Sequence, residues 1–396
     1  MRILKFIGVF LGTLLAVFLL VFGFNLDALK TLYDNSGDLQ EGQEWVSKAT
    51  SLKGLTQYIG SNPQHTAIVS QSVTNPDTTI NYGGKKLHTM GTLSNFFLIT
   101  TYAQLLEEEQ LDPNQTIAWD SVDRYQLPFI DASHHDNAKQ ALQSHTINGQ
   151  VPLDKLVETA IIYNDLAISD YLYFALGSDA IAKTMQKLEL SSTDFPLPFS
   201  GLYITLHPSL HDKEFEAHFE DLTNLSKNEF RAKVLDNAQQ YIFNEDFHER
   251  VRKAFNDHNG LGIGFTERRN LLQLFPKSSA QELSRLMLQL EQDKLISPGV
   301  SRHVKDLMDW PYAEQGLNND FKYYGAIYDN RLGLLNGIDY GASVYSEEPF
   351  GQAVFFDSLQ VAFWFHMSSN FMHQDYQQRL MWDPALRDAT LQEINK

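Results

Sequence analysis

The chain has 396 residues, enough for one large domain or two average ones, and a composition of 43% hydrophobic and 12% aromatic residues excludes wholesale disorder. A formal net charge of −18 with no long basic run excludes nucleic-acid binding, which rewards Lys/Arg patches and is repelled by an acidic surface. Cysteine is absent, so disulfides, thiolate metal sites, a Cys nucleophile and an acylated Cys anchor are all excluded.

Arg2 and Lys5 precede an apolar run from Phe6 to Phe24, FIGVFLGTLLAVFLLVFGF. At helical rise this run spans about 28 Å, close to the hydrocarbon thickness of a bilayer. The flanking charges orient the N-terminus to the cytoplasm. The expectation is a single-pass signal anchor over residues 1–24 in the inner (cytoplasmic) membrane, with the bulk of the chain periplasmic or otherwise extracytoplasmic. A long cleaved signal peptide is the alternative, although FGFNLDALK offers no good small-x-small cleavage site. Residues 25–44 read as a polar juxtamembrane stalk.

From Trp45 to Ile59 the spacing of Val46, Ala49, Leu52, Leu55 and Ile59 predicts a helix, stopped by the run Gly60 to Pro63. His65–Val73 and Thr78–Tyr82 read as a hairpin with turn chemistry at Asn75-Pro76-Asp77. From Met90 to Leu106 apolar residues go nearly all round the helical wheel, which predicts a buried helix. Residues 113–150 read as loops. His134, His135, Asp136 and His145 there lack the i, i+4 spacing of a helical ligand set, so they read as solvated loop groups with no metal. Pro152 opens a second long helix ending at Gly177, whose apolar stripe is broken by Asn164 and Asp165. Polar residues there either cap a break or face a cleft.

A proline-marked loop follows Leu190, then a charged helical segment and a Gly-rich link. Ser279 and Glu282 form a capping-box pattern at the start of the next helix, which runs to Gln292. Beyond Trp310 the spacing becomes strand-like over Tyr323–Tyr328, Ile338–Tyr345, Gln352–Phe356 and Val361–Met367. Asp383-Pro384 interrupts a last helix. The pattern is α+β: an antiparallel sheet with flanking helices beside a helical lobe. The main domain is expected over residues 45–376, with a helical insertion at about 205–262 and a C-terminal helical segment at 377–396.

Several local strings resemble the class A β-lactamase and penicillin-binding family of serine hydrolases. MGTLSNFFLI is similar to that family's S-x-x-K motif, with Thr92 in the Ser slot and Asn95 in the Lys slot. YNDLAISDYL resembles S-D-N, with Asn164, Asp165 and Leu166 in its places. DNRLGLLNG resembles the K-x-G strand, with Arg331, Leu332 and Gly333. The resemblance implies a β-lactamase/transpeptidase-like fold with no cofactor. It places Thr92, Asn95 and Asn164 as catalytic positions, and Asp165, Leu166, Arg331, Leu332 and Gly333 as substrate-binding ones.

The departures from that pattern bear on the chemistry. A nucleophilic hydroxyl needs a base within hydrogen-bond reach, and Asn95 cannot accept a proton as an amine can. Thr92 adds a methyl that crowds attack, Asn164 cannot shuttle a proton, and Leu166 cannot bond a substrate amide. Ser94, the rival nucleophile, stands about 200° round the helix from the nucleophile slot. Lys85 and Lys86 are the nearest spare amines, and Asp194 is the nearest acid in the proline-marked loop. Arg331 stays cationic and suits a carboxylate-bearing ligand. Two readings stand. One is a catalytically impaired or inactive protein whose cleft takes a peptidoglycan-type or β-lactam-like ligand, or which engages a cell-envelope protein. The other is an active acyl-transfer hydrolase using Thr92.

Overall fold

In chain order, helices α1 (Ser36–Lys48) and α2 (Leu52–Ser61) lead into strands β1 (Thr66–Ser72) and β2 (Ile80–Tyr82). Strand β3 (Leu87–Thr89) and a 3-10 turn, Gly91–Ser94, open helix α3 (Asn95–Glu107). The next elements are β4 (Thr116–Ala118), α4 (Trp119–Asp123), α5 (Ala132–Leu142), β5 (Gln150–Pro152), α6 (Leu153–Ile162), α7 (Leu166–Leu176) and α8 (Ser178–Lys187). A second group of helices is α9 (Phe199–Leu206), α10 (Phe215–Thr223), α11 (Lys227–Phe243), α12 (Glu245–Asp257) and α13 (Phe265–Leu271). The chain returns through β6 (Lys277–Ser279), α14 (Ala280–Glu291) and α15 (Pro298–Met308) to strands β7 (Phe321–Asp329), β8 (Asn336–Ser343) and β9 (Pro349–Phe356). Helices α16 (Val361–Ser369), α17 (Met372–Trp382) and α18 (Pro384–Ile394) close it.

This computed structural model describes residues 36–308, 321–331, 333–345 and 348–396. The apolar run Phe6–Phe24, the start of the predicted stalk and Leu332 lie outside the described residues. Among the described residues no helix is long and apolar enough to cross a membrane.

Five strands form one antiparallel sheet in the order β2-β1-β9-β8-β7. Side-chain alternation divides it between two cores. Ala67, Val69, Ala353 and Phe355 face the core shared with α3 and α14, while Ile68, Val354 and Phe356 face the core covered by α2 and α16–α18. Both faces are therefore covered, which is why β8 and β9 read as nearly continuous buried runs. Helix α3 is the centre of the first core. Every residue from Asn95 to Gln104 is buried, and the Thr100 and Thr101 hydroxyls bond back to the Phe96 and Phe97 carbonyls at 2.7 Å.

The insertion helices carry a core of their own, with Leu202, Val234, Tyr241 and Phe255 at its centre. That core is continuous with Leu127, Leu166, Ala167 and Leu334 from the parent fold. The insertion is thus packed onto the side of the molecule where the motif residues lie.

Several expectations need correction. The helix predicted from Trp45 to Ile59 is two, the end of α1 and most of α2, parted at residues 49–51. The second half of the predicted stalk is helix α1, held by Asp38, which bonds Arg269 and the Val361 N–H, and by Glu41, which accepts from Gln360 at 2.7 Å. Residues 113–150 are not loops: they contain α4, α5 and a two-stranded ribbon of β4 and β5. The long helix from Pro152 is two helices, because Asn164 turns left-handed at φ +56° and Asp165 starts α7 afresh. The predicted strand Val361–Met367 is helix α16. Phe363 and Met367, four apart, are buried, whereas Phe365 between them is 65% exposed, a helical and not a strand pattern.

Candidate active site

Thr92 lies on the 3-10 turn that starts α3, and Gly91 shapes that turn. Gly91 has φ +55°, and a Cβ there would run into the Asp329 carboxylate. Asp329, the last residue of β7, is buried and accepts a hydrogen bond from the Thr92 backbone N–H at 2.7 Å. The family resemblance assigns that N–H to an oxyanion hole. Here a carboxyl oxygen of the chain itself takes that N–H. Burial pushes the Asp329 carboxyl up from the usual carboxylate range, against the Arg331 charge and the Thr92 and Arg331 backbone N–H groups, which favour ionisation.

Asn95 follows one helical turn later, fully enclosed, with neither side-chain polar atom hydrogen-bonded. Among the described residues no amine is hydrogen-bonded to Thr92. Lys86 is exposed and donates to the Pro63 carbonyl at 2.7 Å, and Lys85 lines a separate cleft with Glu282 and Arg285. The Ser94 hydroxyl is turned back onto the Gly91 carbonyl at 2.8 Å. Asp194 is tied to β6, accepting from the Lys277 N–H at 3.0 Å and from Lys227 at 2.9 Å.

The second motif also serves structure. Asn164 Nδ2 donates to the Tyr328 carbonyl at 2.6 Å, tying the α6–α7 break to β7, while its Oδ1 is unpaired. Asp165 caps α7 through the Ile168 N–H at 2.7 Å and bonds His135 Nδ1 at 2.7 Å through its other oxygen. Leu166 is buried in the insertion core.

In the third motif, Gly333 has φ +81° and its carbonyl accepts from the Leu359 N–H at 3.2 Å. Arg331 is not a free cation. Its guanidinium grips Asp131 through Nε and Nη2, with distances of 2.8–2.9 Å, and Nη2 also donates to the Asn164 carbonyl at 2.6 Å. Asp329 Oδ1 lies 3.8 Å from Nη1, and His134 Nδ1 lies 2.5 Å from both Nη2 and Asp131 Oδ1. The cation expected to clamp a ligand carboxylate is held by carboxylates of the protein, and Arg331 is only 12% exposed.

Thr92, Asn164 and Arg331 are linked around the end of β7, Thr92 through Asp329, Asn164 through the Tyr328 carbonyl and Arg331 through the Asn164 carbonyl, with Asn95, Asp165 and Gly333 on the adjoining segments. Gly91, Asp131, Asp329 and His135 were missed. Gly91 and Asp329 stand one and two residues from assigned positions and could have been weighed there. Asp131 carries no local signal, because its partner is 200 residues away. Two clefts among the described residues lie elsewhere, one of about 450 Å³ beside the insertion and one of about 500 Å³ around Lys85 and Glu282.

His135 is the clearest correction to the reading of solvated loop histidines. It is buried on α5, stacked on Trp119, with Nδ1 on Asp165 and Nε2 on Asp123 at 2.9 Å. Burial opposes its charge, but the two carboxylates outweigh that and raise its pKa to about 9. The folded value exceeds the unfolded one, so its stabilisation is complete below about pH 6.5 and is lost as pH rises through 9. At about 1.4 kcal/mol per pKa unit the group accounts for up to roughly 3 kcal/mol. Urea denaturation at pH 6 and pH 9 should show wild type losing most of that stability relative to His135→Gln. An equal pH dependence in the two proteins would refute the assignment.

The model of the Beta-lactamase enzyme family matches residues 51–370. Among solved structures, a β-lactamase from Sphaerobacter thermophilus is similar at 10% identity, covering 87% of this chain and 97% of that one, with a TM-score of 0.49. A β-lactamase from Chitinophaga pinensis has 14% identity, covers 88% and 99%, and has a TM-score of 0.45. The penicillin-G acyl-enzyme complex of a PBP-A mutant has 11% identity, covers 83% and 97%, and has a TM-score of 0.45. No curated protein matches. With a β-lactamase/transpeptidase-like α+β fold and a family match spanning most of its length, the chain belongs to the β-lactamase enzyme family.

Proposed function

We propose that this protein is a membrane-anchored, extracytoplasmic member of the family in which the catalytic address has become a structural joint, so that it carries out no acyl transfer. The carrying observation is the Thr92 N–H held by Asp329, with no amine in the place of the motif lysine. Loss of an oxyanion donor costs on the order of a hundred- to a thousandfold in rate. Without a base the hydroxyl stays protonated, and losses within one catalytic unit leave little behind. Its role is then binding, to a cell-wall peptide or a cell-envelope protein, and the apolar run at residues 6–24 supports the anchor.

A second reading keeps the motif site as a carboxylate-binding cleft. In its favour, Arg331 Nη1 and Asn164 Oδ1 are buried without hydrogen-bond partners. A ligand carboxylate would have to displace Asp131.

Incubating the full-length protein with a fluorescent penicillin is expected to give no covalent adduct by intact mass and no hydrolysis above buffer. An adduct that disappears in Thr92→Ala would establish Thr92 as a nucleophile and overturn the inactive reading.

A further inference from the structure

We propose that the cleft between the insertion and β6 binds a single-chain amphiphile with an anionic head, a fatty carboxylate or an alkyl phosphate. The cleft, half open to solvent, has a volume of about 450 Å³, within the range of small-molecule sites. Its walls are apolar, with Leu197, Leu222, Leu225, Phe230, Leu274 and Phe275 contributed by the proline-marked loop, α10, α11 and the segment before β6.

Of its charged groups, three are cationic (Lys227, Arg231 and Lys277) and one, Asp194, is acidic, a balance opposite to that of a chain with a net charge of −18. Lys227 is paired with Asp194 at 2.9 Å. Arg231 and Lys277 are half-buried, and among the described residues neither side-chain cation forms an ion pair, although the Lys277 backbone N–H bonds Asp194. The Arg231 guanidinium rests 4.1 Å from the centroid of the Phe195 ring. A guanidinium held on a ring face keeps donors with which Arg can take an anion.

Partly desolvated cations are costly unless an anion joins them, and an apolar cavity is favourable only to a chain that fills it. One ligand that satisfies both needs has an alkyl chain inside and a negative head at Arg231 and Lys277. Neither cation belongs to the motif site, so this inference stands or falls apart from the question of acyl transfer.

The test uses full-length protein in nanodiscs and dodecanoate carrying a diazirine near the chain end. Photolabelling followed by peptide mapping should mark the segments Leu222–Arg231 and Gln273–Lys277. Unlabelled dodecanoate and dodecyl phosphate should compete about tenfold better than dodecanol, and the order of the two anions identifies the head group. Leu225→Trp, which fills the cavity, should abolish labelling. The double variant Arg231→Gln with Lys277→Gln should lower it about tenfold with an unchanged thermal transition. Should Leu225→Trp fail to fold, the double variant decides alone. Label scattered outside the cleft, competition by dodecanol equal to that of the anions, or full labelling of the double variant would overturn the proposal.

Discussion

Arg331→Met is expected to destabilise the protein by about 3–5 kcal/mol, the cost of breaking a buried ion pair by removing one partner. Arg331 is nearly enclosed and Asp131 more so, at 12% and 5% side-chain exposure. Removing the guanidinium leaves Asp131 without its bidentate partner and withdraws the nearby cation from Asp329, while the Asn164 carbonyl loses a donor. Methionine roughly replaces the volume, so the loss comes from electrostatics and hydrogen bonds, not from a cavity. The partner double variant isolates the pair: Asp131→Asn on the Arg331→Met background removes the stranded charge, and Asn tolerates the left-handed φ of +58° at that position. It should recover at least about half of the loss, because neighbours in one network do not add. Urea midpoints of the four proteins of the cycle measure this. A cost below about 1 kcal/mol for Arg331→Met would mean that the pair is solvent-exchanged, and the carboxylate-cleft reading would gain accordingly.

This expectation reverses what the sequence suggested for the same residue, and the reason is physical. Local pattern carries information over a few residues. The dense apolar run after Met90 announced a helix buried all round, and residues 95–104 are so buried. Asn164 and Asp165 announced a break, and they make one. Asp383-Pro384 separates α17 from α18 as read. Partner choice is different. The bond from Arg331 to Asp131 joins residues 200 apart, and that from Thr92 to Asp329 joins residues 237 apart. Neither leaves a trace in the spacing of either segment. His135 shows the same limit, since an exposed loop histidine and a buried imidazolium between two aspartates read alike until the fold brings Asp123 and Asp165 to it. The short apolar run VAFWFHM was ambiguous between strand and helix on its own terms. Its docking on α1 through Asp38 decides it as helix.

The local shape of these segments was therefore legible, whereas the partners of their side chains were not, and Gly91 is where shape and partner can be pulled apart. Gly91→Ala is expected to destabilise by about 3–5 kcal/mol. A left-handed φ of +55° costs a residue with a Cβ about 1–2 kcal/mol. The new methyl would also collide with Asp329, so the carboxyl must leave the Thr92 N–H. Both groups are buried, and an unsatisfied buried donor or acceptor costs about 1–3 kcal/mol. If the collision is the main effect, Asp329→Ala should relieve it. The double variant Gly91→Ala with Asp329→Ala would then lose clearly less than the sum of the two single losses, with a coupling of about 1–2 kcal/mol. Simple additivity in urea denaturation would show that the penalty is backbone strain alone. Asp329→Ala also removes the group that takes the Thr92 N–H while Thr92 and Asn95 stay as they are. It should bind fluorescent penicillin covalently no better than wild type, because a freed N–H donor still lacks a base to ionise the hydroxyl beside it.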